Sequence, residues 1–185
     1  MALDLEVEKY IDRIGSLPLE EQRQILDLFE NLDKATEKER LTQRFIPFVK
    51  KMWPGFIEGD HHNIMADAFE RVADGKLKRL IVNMPPRHTK SEFASYLLPA
   101  WFLGRYPGKK VIQTAHTAEL AVGFGRKVRN LVGDEDFQRI FSGVKLRQDS
   151  KAAGRWNTNA EGEYFAIGVG GAVTGKGADL LIIDD

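Results

Sequence analysis

Residues 77 to 102 read LKRLIVNMPPRHTKSEFASYLLPAWF, an order of residue types that few folds can accommodate. Leu80, Ile81 and Val82 form a short apolar, β-branched run, which predicts a buried strand over 80–84. A loop over 85–90 follows, carrying Pro85, Pro86, Arg87, His88, Thr89 and Lys90, and an apolar segment of helical character then runs over 91–104. A strand, a loop ending in Lys90-Ser91 and a helix make the arrangement of a phosphate-binding loop. A second feature complements it. Leu180 to Ile183 is apolar at consecutive positions, which predicts a central strand buried on both faces, and Asp184 and Asp185 follow at its C-terminal edge. Open α/β sheets bind their ligands at that edge.

Composition sets outer bounds. With 185 residues, 43% of them hydrophobic, the chain suits one domain with a sizeable core. Lys and Arg number 27 against 27 Asp and Glu, so net charge points to no partner, and any contact with nucleic acid would use local patches. The absence of cysteine excludes disulfides and cysteine metal sites and favours a reducing compartment. Met1 to Tyr10 is acidic and lacks the apolar core of a secretory leader. No apolar run approaches the ~20 residues needed to span a bilayer. A soluble, cytoplasmic protein without a membrane partner is expected.

Three regions follow one another. Residues 1–43 are charged and helix-like: Pro18 marks a helix start, and Leu19, Ile25, Leu26, Phe29 and Leu32 recur at roughly helical spacing. This predicts a helical appendage or docking element. Residues 44–76 are rich in aromatics (Phe45, Phe48, Trp53, Phe56), with His61-His62 leading a helix from about 63 to 73 that Gly75 stops. From Leu77 strands and helices alternate, with a strand over 110–115, a helix over 117–131, an irregular region holding Trp156, strand-like residues 164–167 and a glycine-rich connector over 168–177. The expected fold is α/β, a P-loop NTPase with a mainly parallel sheet flanked by helices, preceded by the small helical region.

The loop departs from the usual G-x-x-x-x-G-K-[ST] pattern. Aligned on Lys90-Ser91, Met84 and Thr89 stand where the two glycines would be. The physical requirements can still be met. Backbone N–H groups of residues 87–91 can point at phosphates, and the prolines lie at the loop's entrance. The helix contributes its positive N-terminal end. Lys90 would reach the β- and γ-phosphates of ATP, and the Ser91 hydroxyl would ligate Mg²⁺. Thr89 carries a Cβ where glycine is usual, so its backbone must stay in a favourable region or store strain. An ordinary strand-to-helix turn with a surface lysine is the alternative. A decoy, Gly170-Gly171-Ala172-Val173-Thr174-Gly175-Lys176-Gly177, fits the glycine pattern better, but it lacks a following Ser or Thr and a following helix, and reads as a connector. Asp184 is the candidate for the Mg²⁺ shell and Asp185 for orienting or activating water.

The stretch Asn83 to Glu92 resembles the deviant Walker A motif of large terminase subunits of tailed bacteriophages, which often read P-P-R-H-G-K-S; Thr89 is the one departure in the loop. Gly175 to Asp185 is similar to their T-G-x-G-A-D-L-L-I-I-D-D Walker B region, and the approach with Trp53, Gly59, His61-His62 and Ile64 is also similar. The resemblance covers roughly residues 45–185. It implies an ATP-driven motor that packages viral double-stranded DNA into a procapsid in the host cell cytoplasm. It also implies a ring of copies docked on the portal protein and a small terminase subunit that recognises the DNA. By resemblance, Arg87 contacts the phosphates and couples hydrolysis to movement, His88 and Thr89 belong to the ATP-binding loop, and Trp53 and His62 flank the adenine. The family pairs this ATPase with a C-terminal nuclease. The expectation is therefore an appendage over 1–43 and an ATPase domain over 44–185 that is incomplete at its C-terminus.

Two other readings compete: a helicase-like DNA translocase, and a catalytically silent interaction module. Adjacent His61 and His62 face different directions in a helix and lack the i, i+4 partner of a metal site. Arg126, Lys127 and Arg129 suit a solvated helix face better than a DNA contact. Trp156 beside Arg155 suggests an ordered loop.

Overall fold

The structure is a computed structural model that describes residues 13–171, 173 and 175–184. The chain divides into two compact units between Glu39 and Arg40. The first is helical, formed by most of helix α1 (Leu19–Gln43), whose Leu19, Leu26, Leu28, Phe29 and Leu32 are exposed. Among the described residues no helix is long and apolar enough to cross a membrane.

The second unit is α/β. Helices α2 (Phe45–Met52) and α3 (Asp60–Ala73) precede the loop, and a wide π-helical turn (Glu92–Leu97) runs into α4 (Leu98–Arg105). Then come β1 (Lys110–Ala115), α5 (Ala118–Val132), α6 (Glu135–Ile140), β2 (Leu146–Lys151), β3 (Arg155–Thr158), β4 (Glu163–Gly168) and β5 (Leu180–Asp184). The local causes are chemical. Thr117 caps α5 by accepting from Leu120 N–H, and Asp134 caps α6 by accepting from Asp136 and Phe137. Gly75 ends α3 in the left-handed region, φ 72°, as its position suggested. Pro99 lacks the N–H that would close an α-turn on Ser95, and the wide turn ends there, with Leu98 N–H reaching back to Phe93.

The sheet is mixed, in the order β2-β3-β4-β1-β5, which corrects the expectation of a mainly parallel one. β1 pairs in parallel with β4 and β5, whereas β2–β3 and β3–β4 are antiparallel. The cause is the short turn over 159–162. Thr158 N–H bonds to the Gly162 carbonyl, and Gly162 N–H bonds back to the Thr158 hydroxyl, so β3 must reverse into β4. The irregular region is therefore two strands, and Trp156 lies on β3 rather than in a loop. Trp156 is fully buried, stacked on Tyr164 at 5.0 Å and 6°, with its indole N–H donated to the Gly125 carbonyl.

Two further corrections concern the strands meant to frame the site. Residues 80–84 form no strand of the sheet among the described residues. Val82 and Met84 pack on the core while Ile81 is 93% exposed, so the run is only partly buried. β5 lies at the edge of the sheet. Its buried Leu180, Ile182 and Asp184 alternate with Leu181 and Ile183, which are 58% and 73% exposed. The start of β5 is pinned to β1 by Asp179, whose carboxylate accepts from Lys110 N–H and Lys109 Nζ.

An aromatic cluster anchors the helix that follows the loop. Phe45 of α2 meets Phe69 of α3, Phe93 and Trp101 at ring separations of 5.4 to 5.6 Å. Phe93 is fully buried, so the backbone two residues after Ser91 is fixed to the core.

Candidate functional site

The loop turns through two non-glycine residues in the left-handed region, Arg87 at φ 65° and Thr89 at φ 63°. With His88 between them on the ordinary side, φ alternates in sign along three residues. That alternation turns successive N–H groups toward one side, the geometry of an anion-binding nest. The N–H groups of Arg87, His88 and Thr89 donate to no acceptor among the described residues. Phe93 N–H bonds to the Thr89 carbonyl at 3.0 Å and opens the helix, which begins at Lys90. The loop's free N–H groups and the helix's first N–H groups thus converge.

Side chains hold this turn. His88 Nδ1 bonds to the Pro86 carbonyl at 2.9 Å, and the Thr89 hydroxyl donates to the His88 carbonyl at 2.6 Å. His62, buried on the first turn of α3, places Nε2 2.7 Å from the same Thr89 hydroxyl. Arg87 is exposed and makes no ion pair among the described residues. Lys90 is half-buried at the helix start.

The second half of the site comes from β5. Ser91 Oγ donates to Asp184 Oδ1 at 3.2 Å across 93 residues of sequence, and Ser95 Oγ donates to Oδ2 at 2.8 Å. The hydroxyl that follows Lys90 and the first carboxylate of the terminal pair are therefore brought together. Asp185 lies outside the described residues. Ser95 was not singled out from the sequence, although its i+4 spacing from Ser91 on one helix face was the available signal.

Trp53 makes no ring contact with the loop itself. It packs on Phe56 at 5.5 Å, and Phe56 in turn meets His62 at 4.8 Å and Phe93 at 5.4 Å. Burial first, and the neighbouring His61 second, depress the His62 pKa below its ordinary value, against an opposing pull from Glu58. Next to Ser91, Glu92 pairs with Lys127 of α5 at 2.8 Å, and Lys127 lies over the rings of Tyr96 and Phe124. This lysine of the basic cluster is thus already engaged. In the connector, Lys176 pairs with Glu163 at 2.6 Å and lies over Phe165, and β5 follows without a helix.

Among the described residues no three His, Asp or Glu side chains group as a metal cluster. A serine hydroxyl and one carboxylate form a sparse oxygen set. It suits Mg²⁺, which keeps most of its shell as waters and substrate phosphate oxygens. It does not suit zinc, which needs three or four protein ligands. Comparison with protein-family models, curated proteins and solved structures returned no match.

Proposed function

We propose that the second unit is a P-loop ATPase and that its biological work is that of a large terminase subunit, packaging double-stranded DNA into a viral procapsid. The observation that carries the nucleotide reading is the bond between Ser91 and Asp184, set beside a loop whose Arg87, His88 and Thr89 N–H groups have no acceptor among the described residues. A phosphate-binding loop needs its post-lysine hydroxyl and a strand-end carboxylate within one metal shell of each other. An ordinary strand-to-helix turn has no such need. The sequence likeness around Pro85 to Ser91 and Gly175 to Asp185 supports the finer assignment to the packaging motor.

In this reading the N–H groups of residues 87–91 cradle the phosphates, and Lys90 binds the β- and γ-phosphates. Exposed Arg87 meets the transferred phosphoryl group, where its fixed charge stabilises the transition state. Ser91 and Asp184 would hold Mg²⁺, which neutralises charge on the phosphate oxygens. Asp185 orients the attacking water. Trp53 lies on the adenine side, while buried His62 acts on the site through the loop rather than on the base. The proposed partners are the portal protein, the small terminase subunit and further copies in a ring, in the host cytoplasm. The test is Mg²⁺-dependent phosphate release from ATP, with and without double-stranded DNA. DNA-stimulated release that disappears in Lys90→Ala and falls in Arg87→Ala supports the proposal. Release that is insensitive to Lys90→Ala opposes it.

A further inference from the structure

Thr89 presents a physical problem that nothing in the loop's chemistry solves. A β-branched residue at φ 63° is a steric outlier, and in a P-loop that position is ordinarily glycine. Strain of this kind persists only where the surroundings over-determine it. What over-determines Thr89 is a continuous chain of hydrogen bonds. Gly59 N–H donates to His62 Nδ1 at 2.9 Å. A nitrogen that accepts carries no proton, so the neutral ring is protonated at Nε2. The single Thr89 hydroxyl proton is directed at the His88 carbonyl, so Thr89 Oγ1 accepts from His62 Nε2. The chain runs from the backbone at the start of α3, through His62, to the backbone of the loop.

We propose that His62 is a positioning residue for the phosphate loop: in its neutral form it holds Thr89 in the left-handed conformation, and its protonation releases the loop. The claim rests on the nucleotide-binding reading above and deepens it by giving that site a pH-sensitive latch. An imidazolium would carry a second N–H at Nδ1 and oppose the Gly59 N–H donor, breaking the chain at its first link. The groups that face His62 agree. His61 of α3 lies at 3.8 Å between ring centroids and disfavours a further positive charge on His62, and His88 of the loop lies 5.9 Å from His61. Phe56 and Phe93 cover the ring with apolar surface. Among the described residues the opposing acid is Glu58, and Lys50 of α2 pairs with it. The resulting depression of the His62 pKa keeps the ring neutral near neutral pH.

The test is a double-mutant cycle on the full chain, with a fluorescent Mg²⁺-ATP analogue as probe. His62→Phe keeps the packing and removes both bonds. His62→Gln can accept from Gly59 and donate to Thr89. Thr89→Gly removes the strain that has to be held. His62→Phe is expected to weaken binding about tenfold, the worth of one lost hydrogen bond. His62→Gln should recover most of that, and His62→Phe should change affinity less than about twofold once Thr89 is glycine. Wild-type affinity should hold down to about pH 6.5 and fall on acidification below it, as His62 protonates, and the double variant should not follow. Equal losses from His62→Phe in both backgrounds would overturn the proposal. Should the wild type bind no nucleotide, nitrogen-15 spectra of the free protein still decide. A proton on His62 Nε2, with Arg87–Lys90 amides that shift in His62→Phe and are restored in His62→Gln, supports the latch. Loop amides unmoved by His62→Phe refute it.

Discussion

Ser95→Ala isolates one bond of the candidate site and has a magnitude that can be worked from the structure. Ser95 is fully buried, and its hydroxyl lies 2.8 Å from Asp184 Oδ2. Asp184 is 7% exposed, so water offers that oxygen little substitute. Hydrogen bonds to ionised groups contribute about 1.5–3 kcal/mol, which puts the cost of Ser95→Ala at about 2 kcal/mol. Ser91→Ala should cost less, about 1 kcal/mol, because its bond is longer at 3.2 Å and Ser91 is only half-buried. In urea, with a slope of about 2 kcal/mol per molar, Ser95→Ala should lower the midpoint by about 1 M and leave the slope unchanged. Repeating the substitution in Asp184→Ala should remove at least about half of that cost, because the two residues share one bond. A midpoint within about 0.2 M of wild type, or the same loss with and without the Asp184 carboxylate, would refute the pairing. The ligand effects should divide the other way: Ser91→Ala weakens Mg²⁺-nucleotide binding, while Ser95→Ala acts mainly on stability.

Two glycines of α5 should respond with opposite signs. A Cβ at Gly123 meets nothing within 4 Å, so Gly123→Ala should stabilise by up to about 1 kcal/mol; at Gly125 a Cβ would lie 2.5 Å from the Ala153 carbonyl, so Gly125→Ala should destabilise by about 1–3 kcal/mol, and a thermal melt of both separates the cases. Burial pushes the Glu163 pKa up, but the Lys176 hydrogen bond and the charges of Lys176, Arg155 and Lys110 outweigh it and leave the pKa depressed. The stability this provides is full above the unfolded value of about 4.3 and is lost as pH falls through the lower folded value. Lys176→Met should therefore flatten the acid limb of stability against pH, and an unchanged acid limb would contradict the pairing. For His62 the folded pKa lies below the unfolded value of about 6.5, so its neutral form supports stability above that pH and the support is lost on acidification toward the folded value. His62→Phe should remove that part of the profile, and an unaltered slope just below about pH 6.5 would count against it.

The sequence was most legible where residue type and chemistry coincide. A lysine and a serine opening a helix, and a carboxylate ending an apolar strand, need no packing information to suggest a phosphate site, and Ser91 and Asp184 do meet. The α5 helix, expected over 117–131, runs over Ala118–Val132 with Thr117 as its cap. Strand environment was less legible. Leu80–Val82 read as a buried strand and Leu180–Ile183 as a strand buried on both faces because continuous apolar runs usually are, yet Ile81, Leu181 and Ile183 are exposed. The polar LRQDSK of β2 carries no strand period, and it pairs only because the turns around β3 bring it to the edge. Ser95 and the His62–Thr89 bond depend on long-range geometry: the first joins residues 89 apart, the second residues 27 apart.

The most direct test of the nucleotide-binding claim is titration calorimetry of Mg²⁺-ATP into this chain and into Lys90→Ala. The expected result is saturable binding by the wild type that weakens at least about tenfold in the variant, since the ammonium meets the phosphates directly. Equal binding by both proteins, or no heat from either, would contradict a phosphate site at Lys90.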